Sequence, residues 1–407
     1  MTRFLCCLVV LATFIQPANA GLFFGLGDLP GGGFSSSVAD ISADGSVVVG
    51  SSLSGSGQEA FRWQSGVMTG LGDFAGGTFE SLAHATSADG SVVVGYGKVA
   101  SSNPTISLRA PFRWEGGVMT LLQAANIDDN TWASGVSADG VIVAGAGEDA
   151  GFRRVLRWVA PSTARQIVPG LSGATVANPS KVSADGSRIV GNSNGGAPGP
   201  FTPVIWEPNT SSVIDLGSPI AGQNAGGTGI SGDGLVIVGT SADGGPGGLD
   251  DKAFFWSLAT GFVFLGDLPG GHIESHATDA TFDGSIIVGS SVSSLGGEAF
   301  IWDALNGIRN LQTVLQTSHD LDLTGWTLTS VGGISDDGLT IAGNGINPLG
   351  QTEAWIAQLD SLNPPVPEPA SLTLLLSGLS CGAGYAARRR RRSVRATIKR
   401  ADVPRHV

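Results

Sequence analysis

One short pattern recurs seven times along this chain of 407 residues. Each copy combines a small polar residue, an Asp-Gly pair, a run of β-branched residues, a Gly and, further on, a Trp; the clearest runs from Ser42 to Gly50. Successive Asp residues of the pattern lie 45 to 54 residues apart. A period of this size is typical of repeat proteins, in which each repeat is one supersecondary unit. The Asp residues are Asp44, Asp89, Asp139, Asp185, Asp233, Asp283 and Asp337, and the tryptophans are Trp63, Trp114, Trp158, Trp206, Trp256, Trp302 and Trp355.

Each repeat reads as four β-strands. In the first copy, residues 38–41 enter the Asp-Gly turn and residues 47–49 leave it. Asp-Gly between two apolar runs predicts a hairpin with a type I′ turn, in which both central residues have positive φ. The all-apolar run 47–49 predicts a strand that is buried on both faces. Residues 59–63 and 67–71 supply a third and a fourth strand, and we interpret the repeated tryptophans as packing between neighbouring sheets.

The two ends of the repeat region are complementary. Residues 21–29 match the fourth strand of a repeat, as a comparison with 262–268 shows, while the last repeat stops after its third strand at 353–357. The N-terminal strand therefore supplies what the last repeat lacks and covers an edge prone to aggregation. We predict an all-β fold, a seven-bladed β-propeller over 21–363 with four-stranded blades. Short helices are expected at 121–126 and 311–315.

The N-terminus reads as a secretory signal peptide over residues 1–20. Arg3 precedes an apolar stretch from residue 4 to residue 15, and Ala18 and Ala20 place cleavage before Gly21. The apolar stretch is too short to span a bilayer comfortably. The sequence therefore predicts an exported protein.

The C-terminus has three parts in a fixed order. A Pro-rich linker, 364–371, contains the sequence Pro367-Glu368-Pro369. An apolar segment, 372–387, is near the lower limit for a transmembrane helix. The basic segment 388–407 begins with Arg388, Arg389, Arg390, Arg391 and Arg392 and is expected to stay in the cytoplasm.

These three parts resemble the PEP-CTERM sorting signal of Gram-negative envelope proteins. The resemblance implies recognition by an exosortase-type membrane protease, transient anchoring in the inner membrane, and release or attachment at the surface. The tail 393–407 is longer than is usual for that signal. The repeats themselves resemble the HAF family of extracellular bacterial repeats, through residues 26–32, their near copy 265–271, and Ala60-Phe61-Arg62-Trp63. This second resemblance implies an extracellular, propeller-like protein without an assigned chemistry.

Charge and cysteine usage agree with export. Residues 21–369 carry 12 Lys and Arg against 33 Asp and Glu, a net charge of −21. Such acidity argues against nucleic acid or anionic lipid as a partner. All three cysteines, Cys6, Cys7 and Cys381, lie in the signal peptide or the apolar C-terminal segment, so the exported domain has neither a thiol nor a disulfide.

One local cluster could bind a ligand. In an extended strand, His272, Glu274 and His276 project from the same side, and Glu80 holds the position of Glu274 in the second repeat. Two imidazoles and a carboxylate could hold a divalent cation, but solvated histidines are the interpretation we favour, and no cofactor is expected. The turn aspartates are likewise explained by turn chemistry rather than by calcium.

The sequence lacks a His-Glu-x-x-His helix and a phosphate-binding Gly-Lys-Ser/Thr loop, and Gly-rich stretches such as 222–229 lack the strand-to-helix context of a nucleotide-binding loop. We therefore expect a non-enzymatic binding, adhesion or matrix protein whose partners are polysaccharide or envelope components. The variable segments 98–111, 192–203 and 241–252 should form its binding face, since variable loops on a regular scaffold usually carry function. The alternative is a polysaccharide hydrolase or lyase with acidic residues at the channel mouth. Its candidates are Asp28, Asp73, Glu80, Asp267 and Glu274.

Overall fold

The computed structural model of the chain describes residues 21–102, 107–124, 130–195, 199–242 and 250–359, and these residues form an all-β fold with one short helix. The strands of repeats one to three, with the N-terminal strand, are β1 Leu22–Gly25, β2 Gly31–Ile41, β3 Val47–Ser54, β4 Gly57–Gln64, β5 Val67–Gly70, β6 Leu82–Thr86, β7 Val92–Ala100, β8 Ser107–Glu115, β9 Val118–Leu121, β10 Thr131–Val136, β11 Ile142–Asp149, β12 Phe152–Val159 and β13 Arg165–Ile167. Those of repeats four and five are β14 Ala177–Val182, β15 Ile189–Asn194, β16 Phe201–Glu207, β17 Ser212–Asp215, β18 Ala225–Ile230, β19 Val236–Ala242, β20 Asp251–Ser257 and β21 Gly261–Phe264. Those of repeats six and seven are β22 Gly270–Ala280, β23 Ile286–Ser293, β24 Gly296–Asp303, β25 Gly307–Asn310, β26 Thr327–Ile334, β27 Thr340–Ile346 and β28 Thr352–Gln358, and the helix is α1 Leu311–Ser318.

Repeats one to six each fold into four antiparallel strands in chain order, and repeat seven contributes three. Five repeats form separate four-stranded sheets, and the fifth and sixth share one eight-stranded sheet. These two join through a single parallel pair, Asp251 with Glu274. The predicted exchange of the N-terminal strand is also observed: β1 pairs antiparallel with β28, from Leu22 opposite Gln358 to Gly25 opposite Trp355. The last sheet therefore consists of β26, β27, β28 and β1.

The hydrophobic core is divided among the spaces between successive sheets. Within the described residues it forms seven clusters, each built from two neighbouring repeats. One of them joins the last repeat to the first, where Ala342 and Ile356 pack with Val48 and Phe61. The apolar strand 47–49 is fully buried, as its composition predicts. The repeat tryptophans are buried or pack against these clusters, which confirms their interpretation as packing between sheets.

The Asp-Gly turns differ from the predicted type I′ geometry. In the first repeat Gly45 has a φ of 71°, but Asp44 is not among the residues with positive φ. The Gly45 amide donates to the Ser42 carbonyl (2.9 Å), and the Asp44 carboxylate accepts from the Ser42 hydroxyl (2.6 Å) and the Ser46 amide (2.9 Å). The prediction of type I′ was wrong because Asp44 acts as a hydrogen-bond acceptor that organises the loop, and a single left-handed glycine then suffices.

Backbone hydrogen bonds connect the turns of successive repeats. The Ala88 amide donates to the Ala138 carbonyl (3.0 Å), and the Ala138 amide donates to the Ala184 carbonyl (2.9 Å). The same contact joins the last repeat to the first, because the Asp336 amide donates to the Ala43 carbonyl (2.9 Å). The first and last repeats are therefore bonded to each other in the same way as repeats that are adjacent in sequence.

The two expected helices have different outcomes. Helix α1 covers the predicted segment 311–315, buries Leu311 and Leu315, and begins at Asn310, whose side chain accepts from the Thr313 amide (2.8 Å). In the other segment Leu121 ends strand β9 and residues 122–124 are not helical, so the prediction was wrong for these residues; 125–126 lie outside the described residues.

Candidate functional site

The first strand of every repeat carries an irregularity at the same place. Its pairing register with the second strand shifts immediately before the residue that lies four positions ahead of the turn Asp. Four repeats have Ala or Gly at this position and three have a charged residue. The seven residues are Asp40, Ala85, Gly135, Lys181, Gly229, Asp279 and Gly333.

The three charged residues meet, although they come from repeats one, four and six. The ammonium nitrogen of Lys181 lies 2.7 Å from Asp40 Oδ1 and 3.4 Å from Asp279 Oδ1. The second oxygen of each carboxylate is also bonded, Asp40 Oδ2 to the Thr86 amide (2.9 Å) and Asp279 Oδ2 to the Ile334 amide (3.2 Å). The side chains are only 8%, 9% and 20% exposed for Asp40, Asp279 and Lys181. We call these three residues the ionic triad.

Burial and the neighbouring opposite charges shift the pKa values of the triad residues in opposite directions. Burial disfavours the charged form of Lys181, but the carboxylates of Asp279 and Asp40 outweigh it, and the pKa of Lys181 rises above its ordinary value. Burial raises the pKa of Asp279, and Lys181 only partly counteracts this effect. Burial also raises the pKa of the nearby Asp336. One ammonium thus serves two carboxyl groups, of which Asp279 has a raised pKa.

The triad separates two cavities, and Lys181 lines both. The lower cavity lies beside the Asp-Gly turns and has a volume of about 90 Å³. The upper cavity lies toward the beginning of the first strands and has a volume of about 460 Å³. Residues from all seven repeats line each cavity. The upper one is lined by Ala39, His84, Trp132, Ser134, Ser180, Lys181, Thr228, Thr240, His276, Ala277, Thr278 and Gly332.

The lining of the upper cavity is polar and contains hydroxyl groups, two imidazoles and an indole. His84 Nδ1 lies 2.8 Å from the Ala133 carbonyl oxygen, so this nitrogen carries the proton and Nε2 is left as an acceptor. Burial lowers the pKa of His84 and keeps its ring neutral at pH 7. The His276 Nδ1 lies 3.4 Å from the Thr240 hydroxyl. The Arg153 guanidinium lies 5.3 Å from the centre of the Trp132 ring.

A side cleft adjoins the upper cavity between repeats four, five and six. Its volume is about 510 Å³, and it shares Thr228, Thr240 and His276 with the upper cavity. The other polar groups are amides and one carboxylate; the full lining comprises Asn178, Asn192, Phe201, Asn224, Ala225, Gly226, Thr228, Thr240, Ala242, Asp251 and His276. Several of these residues come from the variable segments 192–203 and 241–252, which the sequence places on the binding face.

The structure brings His272, Glu274 and His276 together on strand β22. His272 Nε2 lies 2.5 Å from Glu274 Oε2, and His276 Nε2 lies 3.5 Å from Glu274 Oε1. The bond from His272 lowers the pKa of Glu274, with a smaller effect from His276. Among the described residues, no group of three or more His, Cys, Asp or Glu could hold a metal ion. Only His276 of the three lines the upper cavity.

Glu80 lies at the matching position but has other partners. It pairs in parallel with Gln58, as Glu274 does with Asp251, which confirms the equivalence of the two positions. The Tyr96 hydroxyl donates to Glu80 Oε1 (3.0 Å), and burial followed by this bond raises the pKa of Tyr96 to about 12. The Lys98 ammonium lies 3.8 Å from the same oxygen.

The carboxylates expected at a channel mouth do not line these cavities. None of the five candidates is among the described residues that line the upper cavity or the side cleft. Asp73 is instead bound to the backbone, where it accepts from the amides of Phe74, Glu80 and Lys98. Asp267 Oδ1 is buried without a hydrogen-bond partner.

The predicted signal-peptide and sorting residues, apart from Gly21, lie outside the described residues. Within the described part of the chain, no helix is long and apolar enough to cross a membrane. The predicted transmembrane segment 372–387 is outside that part.

Comparison with known proteins identifies the sorting signal and the fold. Residues 365–392 match the PEP-CTERM protein-sorting motif, which implies export to the cell envelope and processing by an exosortase-type system. None of the curated proteins matches the chain. An oligogalacturonate lyase in complex with manganese has a similar structure, with a TM-score of 0.50 and 13% identity over 80% of this chain and 89% of that one. At this identity the likeness shows the fold alone.

Two further solved structures are similar at lower scores. TolB from Acinetobacter baumannii has a TM-score of 0.43 and 15% identity, and the match covers 66% of this chain. It spans 64% of the TolB chain, less than two thirds. An oligogalacturonate lyase from Vibrio parahaemolyticus has a TM-score of 0.48 and 10% identity over 84% of this chain and 92% of that one.

The sequence analysis missed the ionic triad. Asp40 is 141 residues from Lys181, and Lys181 is 98 residues from Asp279, so no local pattern links them. A signal is nevertheless present in the aligned repeats. The position four residues before each turn Asp is Ala or Gly in four copies and charged in the other three, with charges that sum to −1.

Proposed function

We propose that this chain is an exported, non-enzymatic binding protein of the cell envelope, serving adhesion or a matrix, with a seven-bladed β-propeller of HAF-type repeats as its scaffold. In this proposal residues 1–20 are removed on export, and residues 372–387 anchor the protein in the inner membrane until an exosortase-type protease acts at Pro367-Glu368-Pro369. Residues 388–407 stay in the cytoplasm. The match of residues 365–392 to the sorting motif supports this route.

Three observations support the propeller scaffold. Four-stranded units follow one another along the chain, and β1 completes the last one. Hydrophobic clusters fill the space between successive units, including the last and the first. Both cavities beside the ionic triad are lined by residues of all seven repeats, as expected for sheets arranged around one axis.

The observation that carries the binding function is the pair of adjoining cavities, the upper cavity and the side cleft. Their volumes of about 460 and 510 Å³ lie within the range of roughly 300–1,000 Å³ that small-molecule sites occupy. The described lining offers hydroxyls, amides, imidazoles and aromatic rings, which are the groups that bind polysaccharide hydroxyls and ring faces. His276 extends the site toward Glu274 and His272 on its rim, while Glu80 is a second, separate candidate position.

A binding screen tests this proposal. The purified protein is incubated with immobilised polysaccharides and cell-envelope fractions, with and without chelator, and the supernatant is analysed for released products. We expect retention on at least one polysaccharide without product release and without an effect of chelator. Product release that is lost in Glu274→Gln or Glu80→Gln would instead support the hydrolase or lyase. Absence of retention on every polysaccharide and envelope fraction would contradict the binding function.

A further inference from the structure

The ionic triad closes the passage between the two cavities, so the upper cavity is a pocket with a single open end. Lys181 contacts Asp40 at 2.7 Å and Asp279 at 3.4 Å, and backbone amides fix the second oxygen of each carboxylate. Beyond them the lower cavity of about 90 Å³ has room for only about three water molecules at roughly 30 Å³ each. A polymer chain can therefore enter the upper cavity but cannot thread through it.

The side cleft gives the remainder of such a chain a place to lie. It adjoins the upper cavity at Thr228, Thr240 and His276, which line both, and Asn178 and Asn224 are among its other lining residues. The two volumes form one bent path that ends at the triad. A path that is closed at one end fits the end of a polymer and excludes an internal segment, which would have to leave on both sides.

The charge of the pocket selects against acidic sugars. Of the triad, Lys181 lines the upper cavity, and its ammonium is already held by Asp40 and Asp279, which line the lower cavity; Asp251 adds a carboxylate to the side cleft. The nearby cation, Arg153, is already engaged by Asn178, whose side-chain oxygen accepts from its Nη1 (3.0 Å), and by the Trp132 ring. An anionic residue in the upper cavity would therefore be buried without an unengaged cation among the described lining residues, and a buried charge without a partner is costly.

The polar groups of the pocket suit a neutral sugar. Ser134, Ser180, Thr228 and Thr240 provide hydroxyls that both donate and accept, and His84 keeps Nε2 as an acceptor because its Nδ1 is bonded to Ala133. Trp132 contributes an aromatic ring, on which the C–H face of a pyranose can pack. Neutral hydroxyl groups can use all of these partners without bringing a charge into the pocket.

We propose, on the basis of the binding function above, that the upper cavity holds the terminal residue of a neutral polysaccharide, and that the side cleft holds the residues next to it. The ionic triad is the floor of this pocket and Trp132 its aromatic wall. The protein accordingly binds the ends of glycan chains.

Stoichiometry distinguishes recognition of an end from recognition of an internal segment. The purified protein is titrated by calorimetry with pairs of neutral glycans, each pair being a trisaccharide and a polymer of the same linkage. The pairs are maltotriose and amylose, cellotriose and soluble cellulose ether, and laminaritriose and laminarin. Oligogalacturonides serve as the anionic probe. For a pair that binds, we expect one protein per chain with both the short and the long member. We also expect affinity for oligogalacturonides to be at least about tenfold weaker, a difference of one decade in Kd.

Two variants test the pocket itself. Ser134→Phe fills the upper cavity, and we expect it to weaken binding at least tenfold. Thr240→Val removes one hydroxyl without changing the shape of the side chain. We expect this variant to lose affinity about threefold to tenfold, as for one neutral hydrogen bond. Ser285→Phe, on the exposed Asp-Gly turn of the sixth repeat, is the matched control and should bind as the parent does. Thermal unfolding of each variant verifies that it is folded.

The outcomes separate this inference from the function on which it rests. Binding with one protein per chain that is weakened by Ser134→Phe or by Thr240→Val supports the chain-end pocket. Binding in which the number of proteins per chain rises with chain length, or which a folded Ser134→Phe leaves unchanged, overturns the pocket while the binding function stands. Preference for oligogalacturonides overturns the neutral ligand. Failure to bind any glycan or envelope fraction overturns both.

Discussion

One glycine per repeat sets the closest backbone contact between the first two strands. A Cβ on Gly95 would stand 1.9 Å from the Leu82 carbonyl oxygen, and a Cβ on Gly145 would stand 2.0 Å from that of Trp132. Real Cβ atoms do not approach backbone oxygens this closely. The glycine that follows each β-branched run is thus required by space, since it lies opposite the point where the pairing register shifts.

Gly95→Ala is therefore expected to destabilise the fold by about 3 kcal/mol, at the upper end of the cost of overpacking. The measurement is the free energy of unfolding by urea denaturation. Gly297→Ala, in strand β24, is the matched control because its Cβ would have no neighbour within 4 Å, and it should change stability by less than about 0.5 kcal/mol. Equal effects of the two substitutions would contradict the steric explanation.

The turn aspartates determine how the fold responds to acid. The Ser91 amide and hydroxyl and the Ser87 hydroxyl lower the pKa of Asp89, and the Ser137 hydroxyl and Val141 amide lower that of Asp139. A carboxyl whose pKa is lower in the folded state binds fewer protons there than in the unfolded state. The contribution of such a carboxyl to the free energy of unfolding is fully present above the ordinary Asp pKa, and it is lost as the pH falls through the pKa of the folded state.

Asp89→Asn should flatten this acid response. We expect a variant that is less stable than the parent at pH 7 but loses less stability between pH 5 and pH 3, because an amide does not titrate. The measurement is the midpoint of thermal unfolding as a function of pH. Asp250, for which no hydrogen bond to a turn is present within the described residues, provides the control as Asp250→Asn. A parallel pH dependence of the Asp89 variant and the parent would argue against the turn carboxylates.

At the scale of elements, strand β1 connects the two ends of the repeat region. Phe23 packs with its ring edge against Trp326, at 5.3 Å between ring centres, and lies 5.9 Å from Trp355. Its neighbour Leu22 points away and is 55% exposed. Side chains on β1 therefore alternate between packed and exposed positions, so that Phe23 can be tested as the contact residue and Leu22 as its control.

Phe23→Ala should lower the free energy of unfolding by about 2 kcal/mol, less than the roughly 3–5 kcal/mol for a fully buried Phe, since Phe23 is half-buried. Leu22→Ala should have little effect. Both are measured by urea denaturation, and light scattering tests whether loss of β1 contacts exposes the edge of β28 and promotes aggregation. If Leu22→Ala is the more damaging change, the role of β1 as the closing strand is wrong.

The elements themselves could be predicted because their signals are local. Asp-Gly pairs, β-branched runs and tryptophans at a fixed period specify four strands per repeat, and the fourth-strand match at 21–29 specifies the partner of β28. The turn type could not be predicted, because it depends on whether the Asp44 side chain accepts from Ser42 and Ser46. The single pair Asp251–Glu274, which merges two sheets, likewise depends on the close approach of neighbouring repeats.

At the scale of the whole molecule, the site depends on contacts that no single repeat contains. Sequence reasoning predicts a binding face on the side of the variable segments, and Asn192 and Asp251 of those segments line the side cleft. It could not foresee the triad, because a charge at one position in three of seven repeats acquires meaning only when the fold brings those three positions together. Glycine is required at this position in three of the other repeats, because a Cβ would stand 3.0 Å from Val182 at Gly135, 2.6 Å from the Thr278 carbonyl at Gly229 and 3.0 Å from Ile41 at Gly333.

Lys181→Met is expected to destabilise the fold by about 3–5 kcal/mol, the cost of leaving buried charges without their partner. The variant leaves Asp40 and Asp279 facing each other, which raises the pKa of Asp279 further above its ordinary value. A carboxyl whose pKa is raised in the folded state favours folding at low pH, and this contribution is lost as pH rises. The variant should therefore lose stability from pH 5 to pH 8 more steeply than the parent.

The triple variant Asp40→Asn, Lys181→Met, Asp279→Asn separates charge from packing. It removes all three charges while keeping side chains of similar size, and replacing a buried ion cluster with neutral groups is often neutral or stabilising. We expect it to recover most of the stability lost by Lys181→Met and to show no extra pH dependence between pH 5 and pH 8, as measured by urea denaturation at each pH. Recovery would mean that the triad contributes a closed, charged floor to the pocket and little net stability. If the triple variant were as unstable as Lys181→Met at every pH, the lysine stem would matter through packing, and the electrostatic account of the triad would be wrong.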